Sequence, residues 1–182
     1  MFAPSFINNN FETILLNSGM GLSQVEYDVS DTHESILSDS EQVYNQHDFI
    51  FGYSYGCLPA LKLANANTKG IILLDPSALP NNEQQKYIVE IEEANKNFAE
   101  DISVRNKTLW DKYPRIEYSN IRCKVLVVYT EYGINNKSDG VKIHFLQNKK
   151  VVVINESSHY IMMEPKRFEL ANHILEFING HA

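Results

Sequence analysis

The 182-residue chain contains only two cysteines, Cys57 and Cys123, and no CxxC pair. Two such residues cannot build a disulfide scaffold, and without a CxxC pair the commonest metal-binding motif is missing. The apolar runs are strand-sized, far below the roughly 18–20 residues that a membrane helix needs. The amino end has no basic region followed by an apolar stretch, so it lacks the pattern of a secretory leader. We therefore expect a cytoplasmic protein with no membrane span, no metal and no cofactor.

Clustered positive charge is also missing. The net charge is −7, from 16 Lys plus Arg against 23 Asp plus Glu. The basic residues are scattered, apart from the pairs at 149–150 and 166–167. A nucleic-acid binder needs a clustered positive surface that displaces counterions from phosphates, so this class is excluded. The negative balance favours solubility and is mildly unfavourable for an acidic protein partner such as a carrier domain.

Short apolar segments alternate with helix-length stretches, which predicts an α/β fold with a mostly parallel sheet. Each segment is a near-continuous apolar run, the pattern of a strand that is buried on both faces. A chain of this length is expected to form a single domain over 1–182. The predicted strands cover residues 47–52, 70–74, 124–129 and 149–154, with a weaker one at 23–28. The predicted helices cover residues 11–18, 34–46, 55–65 and 167–178.

One segment, residues 76–121, interrupts the alternation of strands and helices. It has no clear buried-strand run and is rich in Asn, Glu, Lys and Tyr. Residues 84–99 carry apolar side chains at helical spacing among charged ones, which predicts an amphipathic helix. An insertion of this length in a compact domain is typical of a lid or a binding loop.

The motif Gly52-Tyr53-Ser54-Tyr55-Gly56 lies directly after a predicted strand and directly before a predicted helix. G-x-S-x-G in this context is the pattern of a nucleophile elbow, in which a tight turn raises a serine hydroxyl above the sheet. We expect a Cβ at either flanking glycine to clash within so tight a turn. The alternative interpretation is a glycine-rich turn in which Ser54 only caps the helix.

A serine nucleophile needs a base, and His159 is the best placed histidine. It follows the last predicted strand after a short polar loop, and a helix begins soon after Pro165. An imidazole in such a loop can reach a serine across the carboxyl edge of the sheet. For the other five histidines we expect surface or structural roles: His33, His47, His144, His173 and His181.

The stretch 48–80, together with His159 and the closing helix, resembles the α/β-hydrolase family, and its GYSxG form looks like the thioesterase branch. The resemblance implies a triad of serine, acid and histidine in that chain order. The family usually places the acid after the strand that is here 124–129, often in a G-x-x-D turn. The corresponding residues are Thr130-Glu131-Tyr132-Gly133, so a glycine stands where the aspartate is expected.

A second position for the acid lies at the end of strand 70–74, where Asp75-Pro76 follows the strand. Thioesterase domains of peptide and polyketide synthesis and pancreatic-type lipases are similar in placing the acid there. The resemblance therefore implies that Asp75 orients His159 and stabilises the imidazolium. Glu131 and Asp139 remain alternative acids.

The resemblance aligns residues 11–28 with the first helix of the family and the strand after it. The chain is then expected to lack the first strands of the family and the loop that completes the oxyanion hole. Under this alignment the Tyr55 N–H is one oxyanion donor, and the Phe2 or Ala3 N–H is the second. In an alternative alignment, residues 13–16 are the family strand that precedes the oxyanion loop, and residues 17–21 are that loop. The family's helical lid corresponds to residues 76–121.

These residues lead to a serine hydrolase of thioester or carboxylic ester bonds, with a small-molecule acyl substrate that is free or carried by a carrier. Two other functions stay open. One is a non-catalytic or weakly active hydrolase-fold binding protein, which the missing oxyanion loop and Gly133 favour. The other is a carbon–carbon or lactone hydrolase.

Overall fold

The computed structural model of the chain describes residues 48–76, 120–133 and 146–180. All of them lie within one of the two compact units into which the chain divides. The strands are β1 (Phe49–Tyr53), β2 (Gly70–Leu74), β3 (Lys124–Tyr132) and β4 (Lys149–Ser158). The helices are α1 (Cys57–Leu63) and α2 (Arg167–Asn179), and short 3-10 turns cover Ser54–Gly56 and Ile161–Met163.

The four strands form one parallel sheet in the order β1-β2-β3-β4. Tyr53 at the end of β1 is opposite Leu74 at the end of β2, and Leu74 is opposite Val128 of β3. The residues that follow β1 and β2, Ser54 and Asp75, therefore leave the sheet at the same edge. The predicted parallel α/β architecture is confirmed.

One helix packs on each face of this sheet. Gly52 of β1 faces α1, because a Cβ built on it would meet Cys57 and Ala60. The opposite face packs on α2. Burial of one large apolar side chain in a core contributes about 1.5–3 kcal/mol to the free energy of unfolding. The core on the α2 side consists of Ile72, Leu74, Leu126, Val128, Ile154, Ile161, Leu170, Ile174 and Phe177.

Strand β2 is buried along its whole length, as its apolar run predicts. The same prediction is wrong for β4, in which Val151 is 48% exposed and Val153 is 55% exposed. The physical reason is position. In the described part of the sheet β4 is the last strand, and α1 packs on β1 and β2, so α1 does not reach that face of β4.

Strands β3 and β4 both extend beyond their apolar runs, to Tyr132 and Ser158. Pairing continues because the backbone ladder does not depend on apolar side chains, although the register shifts between Thr130 and Tyr132. The predicted strand 23–28, the helices 11–18 and 34–46, and nearly all of the predicted lid 76–121 lie outside the described residues. The expected absence of the family's first strands also concerns residues outside the described part. The single-domain organisation remains a prediction.

Candidate active site

Ser54 lies immediately after β1, in the 3-10 turn that leads into α1. Its φ is 53°, in the left-handed region that non-glycine residues rarely adopt. A backbone held in this region costs of order 1–3 kcal/mol and is found mainly at functional sites. The strand, the strained serine and the helix together form the sharp turn that the G-x-S-x-G pattern predicts.

The two glycines of the motif differ in their surroundings. A Cβ on Gly52 would lie 2.7 Å from the Cys57 Cα and 2.7 Å from the Gly56 carbonyl oxygen, both of them backbone atoms. A Cβ on Gly56 would meet no described atom within 4 Å, and Gly56 has an ordinary φ of −60°. The predicted clash is therefore confirmed for Gly52 and wrong for Gly56, because only Gly52 faces the start of α1.

We expect Gly52→Ala to lower the free energy of unfolding by about 1–3 kcal/mol, since backbone atoms must move to admit the methyl group. The matched variant Gly56→Ala is expected to change it by less than about 0.5 kcal/mol. Urea denaturation followed by circular dichroism measures both values. Equal destabilisation by the two variants would contradict this account of the elbow.

Asp75 is the first residue after β2, and it too has a positive φ, of 41°. Its side chain is fully buried, and its backbone N–H donates to the Val128 carbonyl at 2.7 Å. The carboxylate Oδ2 lies 2.5 Å from His159 Nδ1. A buried carboxylate needs a hydrogen-bonded partner, and His159 provides one. With the proton on Nδ1, the Nε2 lone pair of the imidazole is available as a base.

Glu131, the alternative acid on β3, binds elsewhere. Its Oε2 accepts a hydrogen bond from the Glu156 N–H at 2.6 Å. Glu156 has a φ of 54° and lies near the register shift between β3 and β4. The structure therefore brings Asp75, and not Glu131, to the imidazole of His159. Asp139, Phe2 and Ala3 lie outside the described residues.

Tyr53 links β1 to the loop after β4 that holds His159 and Tyr160, here called the histidine loop, and the sequence did not reveal this contact. Its hydroxyl donates to the His159 carbonyl oxygen at 2.6 Å. Its ring stacks on the imidazole with centroids 4.8 Å apart and planes 28° apart. Burial, and then the charge of Asp75, raise the pKa of Tyr53 to about 12, so the hydroxyl remains a donor at neutral pH. The residue before Ser54 thus fixes the position of His159.

The histidine loop is held at a further point by Glu164. The Ser158 N–H donates to Glu164 Oε2 at 3.1 Å, and the Ser158 hydroxyl donates to Oε1. The Tyr160 N–H donates in turn to the Ser158 hydroxyl oxygen at 3.2 Å. Because these bonds flank His159 on both sides, the loop that carries the imidazole is fixed to the turn before α2.

Cys57, at the start of α1, is buried and contacts the backbone of the elbow. Its thiol donates to the Gly52 carbonyl at 3.3 Å and lies 3.5 Å from the Leu74 carbonyl. Complete burial raises the pKa of the Cys57 thiol well above its usual value. A thiol that stays protonated is a weak nucleophile.

Among the described residues, no three His, Cys, Asp or Glu side chains come together in a way that could hold a metal ion. In the same part of the chain, no helix is both long enough and apolar enough to cross a membrane.

Comparison with known proteins identifies the fold. No protein-family model matches the sequence, and no curated protein gives a significant match. Solved structures do match. BpoC of Mycobacterium tuberculosis, a candidate non-heme bromoperoxidase, has 15% identity and a TM-score of 0.70, with 98% of this chain and 85% of that chain covered.

An esterase from Thermogutta terrifontis matches at 17% identity and a TM-score of 0.60, covering 90% of this chain and 78% of that one. The thioesterase domain of the curacin biosynthetic pathway matches at 15% identity and a TM-score of 0.58, with 84% and 76% covered. At these identities the likeness concerns the fold. The chain has the α/β-hydrolase fold.

Proposed function

We propose that the chain is a serine hydrolase that cleaves carboxylic ester or thioester bonds, with Ser54 as nucleophile, His159 as base and Asp75 as acid. The observation that carries the proposal is the contact of 2.5 Å between the buried Asp75 carboxylate and His159 Nδ1. It lies at the sheet edge where Ser54 leaves β1 with a φ of 53°. A histidine oriented by a buried carboxylate, at the sheet edge where a strained serine leaves its strand, fits the arrangement of a catalytic triad.

In the proposed reaction, the Ser54 hydroxyl attacks the carbonyl carbon while His159 Nε2 accepts the hydroxyl proton. The Asp75 carboxylate stabilises the imidazolium that forms. The imidazolium then gives its proton to the leaving alcohol or thiol, and an acyl group remains on Ser54. Water, deprotonated by His159, attacks this acyl group and releases the carboxylic acid and free Ser54.

The oxyanion of each tetrahedral intermediate needs hydrogen-bond donors. The Tyr55 N–H, in the turn directly after Ser54, is the first proposed donor. The Phe2 or Ala3 N–H is proposed as the second on the basis of the family resemblance alone. Loss of one such donor typically lowers the rate by about 100–1,000-fold.

A small acyl ester or thioester is the proposed substrate. The names of two structural neighbours, an esterase and a thioesterase domain, support this bond class. The net charge of −7 disfavours an acidic carrier, so a free small molecule is favoured over a carrier-bound one.

A fluorophosphonate probe tests the proposal directly, because it phosphonylates only activated serines. We expect one equivalent to react with the wild-type protein, and peptide mass spectrometry to place the adduct on Ser54. Ser54→Ala should not react. Ser157→Ala is the matched control and should react like the wild type, because the buried Ser157 hydroxyl donates to the Ile154 carbonyl. A wild-type protein that stays unlabelled would overturn the proposal and favour a non-catalytic binding protein.

A further inference from the structure

Gly133, the first residue after β3, lies against the carboxylate of Asp75. A Cβ built on Gly133 would fall on both Asp75 carboxylate oxygens and on the Thr130 hydroxyl oxygen, closer than any real Cβ contact. The φ of Gly133 lies outside the left-handed region. The backbone conformation therefore does not require a glycine here, and the steric demand comes from the neighbouring side chains.

The backbones on both sides of this contact are fixed. The Asp75 N–H donates to the Val128 carbonyl at 2.7 Å, and the Gly133 N–H donates to the Thr130 carbonyl at 3.1 Å. The carboxylate itself is held by His159 Nδ1. A side chain on residue 133 therefore has to displace the carboxylate of Asp75 as well as the hydroxyl of Thr130, because a hydrogen bond holds each backbone segment in place.

We propose that Gly133 is a positioning residue, whose missing side chain leaves the space that the Asp75 carboxylate occupies beside His159. The family resemblance already gives residue 133 as the usual position of the acid, so Asp75→Ala/Gly133→Asp tests whether the space beside residue 133 can hold a carboxylate from either residue.

The kinetic part of the test rests on the proposed function, whereas the contact can be measured without it. Four variants are compared with the wild type: Gly133→Ala, Asp75→Ala, Asp75→Ala/Gly133→Asp, and Gly180→Ala as a glycine control after α2. The kinetic measurement is kcat and KM for p-nitrophenyl acetate. The second measurement is the downfield proton NMR signal of the His159 Nδ1–H, which reports the Asp75 contact in the absence of any substrate.

Gly133→Ala is expected to lose the downfield signal and to lower kcat by at least about 100-fold, with KM nearly unchanged. Asp75→Ala/Gly133→Asp is expected to regain the signal and at least about 100-fold of the kcat that Asp75→Ala loses. Gly180→Ala should behave like the wild type. A Gly133→Ala variant that keeps both the signal and kcat would overturn the proposal, as would a double variant no better than Asp75→Ala.

The urea midpoint of unfolding gives a third measurement, which can still be compared when one variant is too unstable for kinetics. If the clash is with the carboxylate, Gly133→Ala lowers the urea midpoint in the wild-type background and lowers it much less in the Asp75→Ala background. An equal decrease in both backgrounds contradicts the proposal. If the wild type has no esterase activity and yet Gly133→Ala removes the NMR signal, the positioning role stands and the proposed function fails.

Discussion

Ser54→Ala is expected to lower kcat for p-nitrophenyl ester hydrolysis by about 10⁶-fold relative to the wild-type protein. The methyl group cannot attack a carbonyl, and no described group near the elbow replaces the hydroxyl, since the buried Cys57 thiol remains protonated. The residual rate should come from substrate binding and oxyanion stabilisation alone, which together give about 10³–10⁴-fold over water.

The size of this loss should not grow when His159 is also removed. Residues that act as one unit are strongly non-additive, because the base has no task once the nucleophile is gone. We therefore expect Ser54→Ala/His159→Ala to hydrolyse esters as slowly as Ser54→Ala. Ser157→Ala controls for the loss of a hydroxyl near the histidine loop and should retain activity. A double variant much slower than Ser54→Ala would show that His159 acts in a step without Ser54.

The strands and helices of the described part could be predicted from the sequence because each one carries a strong local signal. Strand β2 is predicted with its observed bounds, since the apolar run from Gly70 to Leu74 is bounded by polar residues on both sides. Helix α2 is predicted to within one residue at its end, because Pro165 and Gly180 mark its limits. Local periodicity and breaker residues suffice for elements of this kind.

Part of the candidate site could be predicted as well. Asp75 and His159 are 84 residues apart in sequence and yet in contact, and no local pattern gives that pairing. The prediction rests on the family resemblance, which specifies the strand ends that carry the acid and the histidine. The strained φ of Ser54 likewise follows from the strand–turn–helix context of its motif.

The remaining features depend on how distant segments approach each other, and sequence patterns do not encode that approach. The hydroxyl of Tyr53 reaches a backbone carbonyl that any residue at position 159 would present. One face of β4 is exposed because α1 does not extend over it, although Val151 and Val153 are as apolar as the residues of β2. The open space around Gly56 could not be predicted either, because the G-x-S-x-G motif does not distinguish its two glycines.

Asp75→Asn is expected to lower kcat by about 10⁴-fold while KM changes little. The amide is nearly the same size as the carboxylate and fits the same buried space beside Gly133. It carries no charge to stabilise the imidazolium, and its NH₂ group can donate to Nδ1, which favours the tautomer with the proton on Nε2. In that tautomer His159 cannot accept the proton of Ser54.

The matched control for Asp75→Asn is Glu131→Gln, which removes the charge of the alternative acid. We expect this control to change kcat by no more than a few-fold, because Glu131 bonds the Glu156 N–H, and the amide oxygen of the substituted side chain can still accept that bond. Steady-state kinetics with p-nitrophenyl acetate measure both variants, and the rate of fluorophosphonate labelling gives a second measure of nucleophile activation. The assignment of the acid would be wrong if Glu131→Gln lost most of the activity while Asp75→Asn kept it.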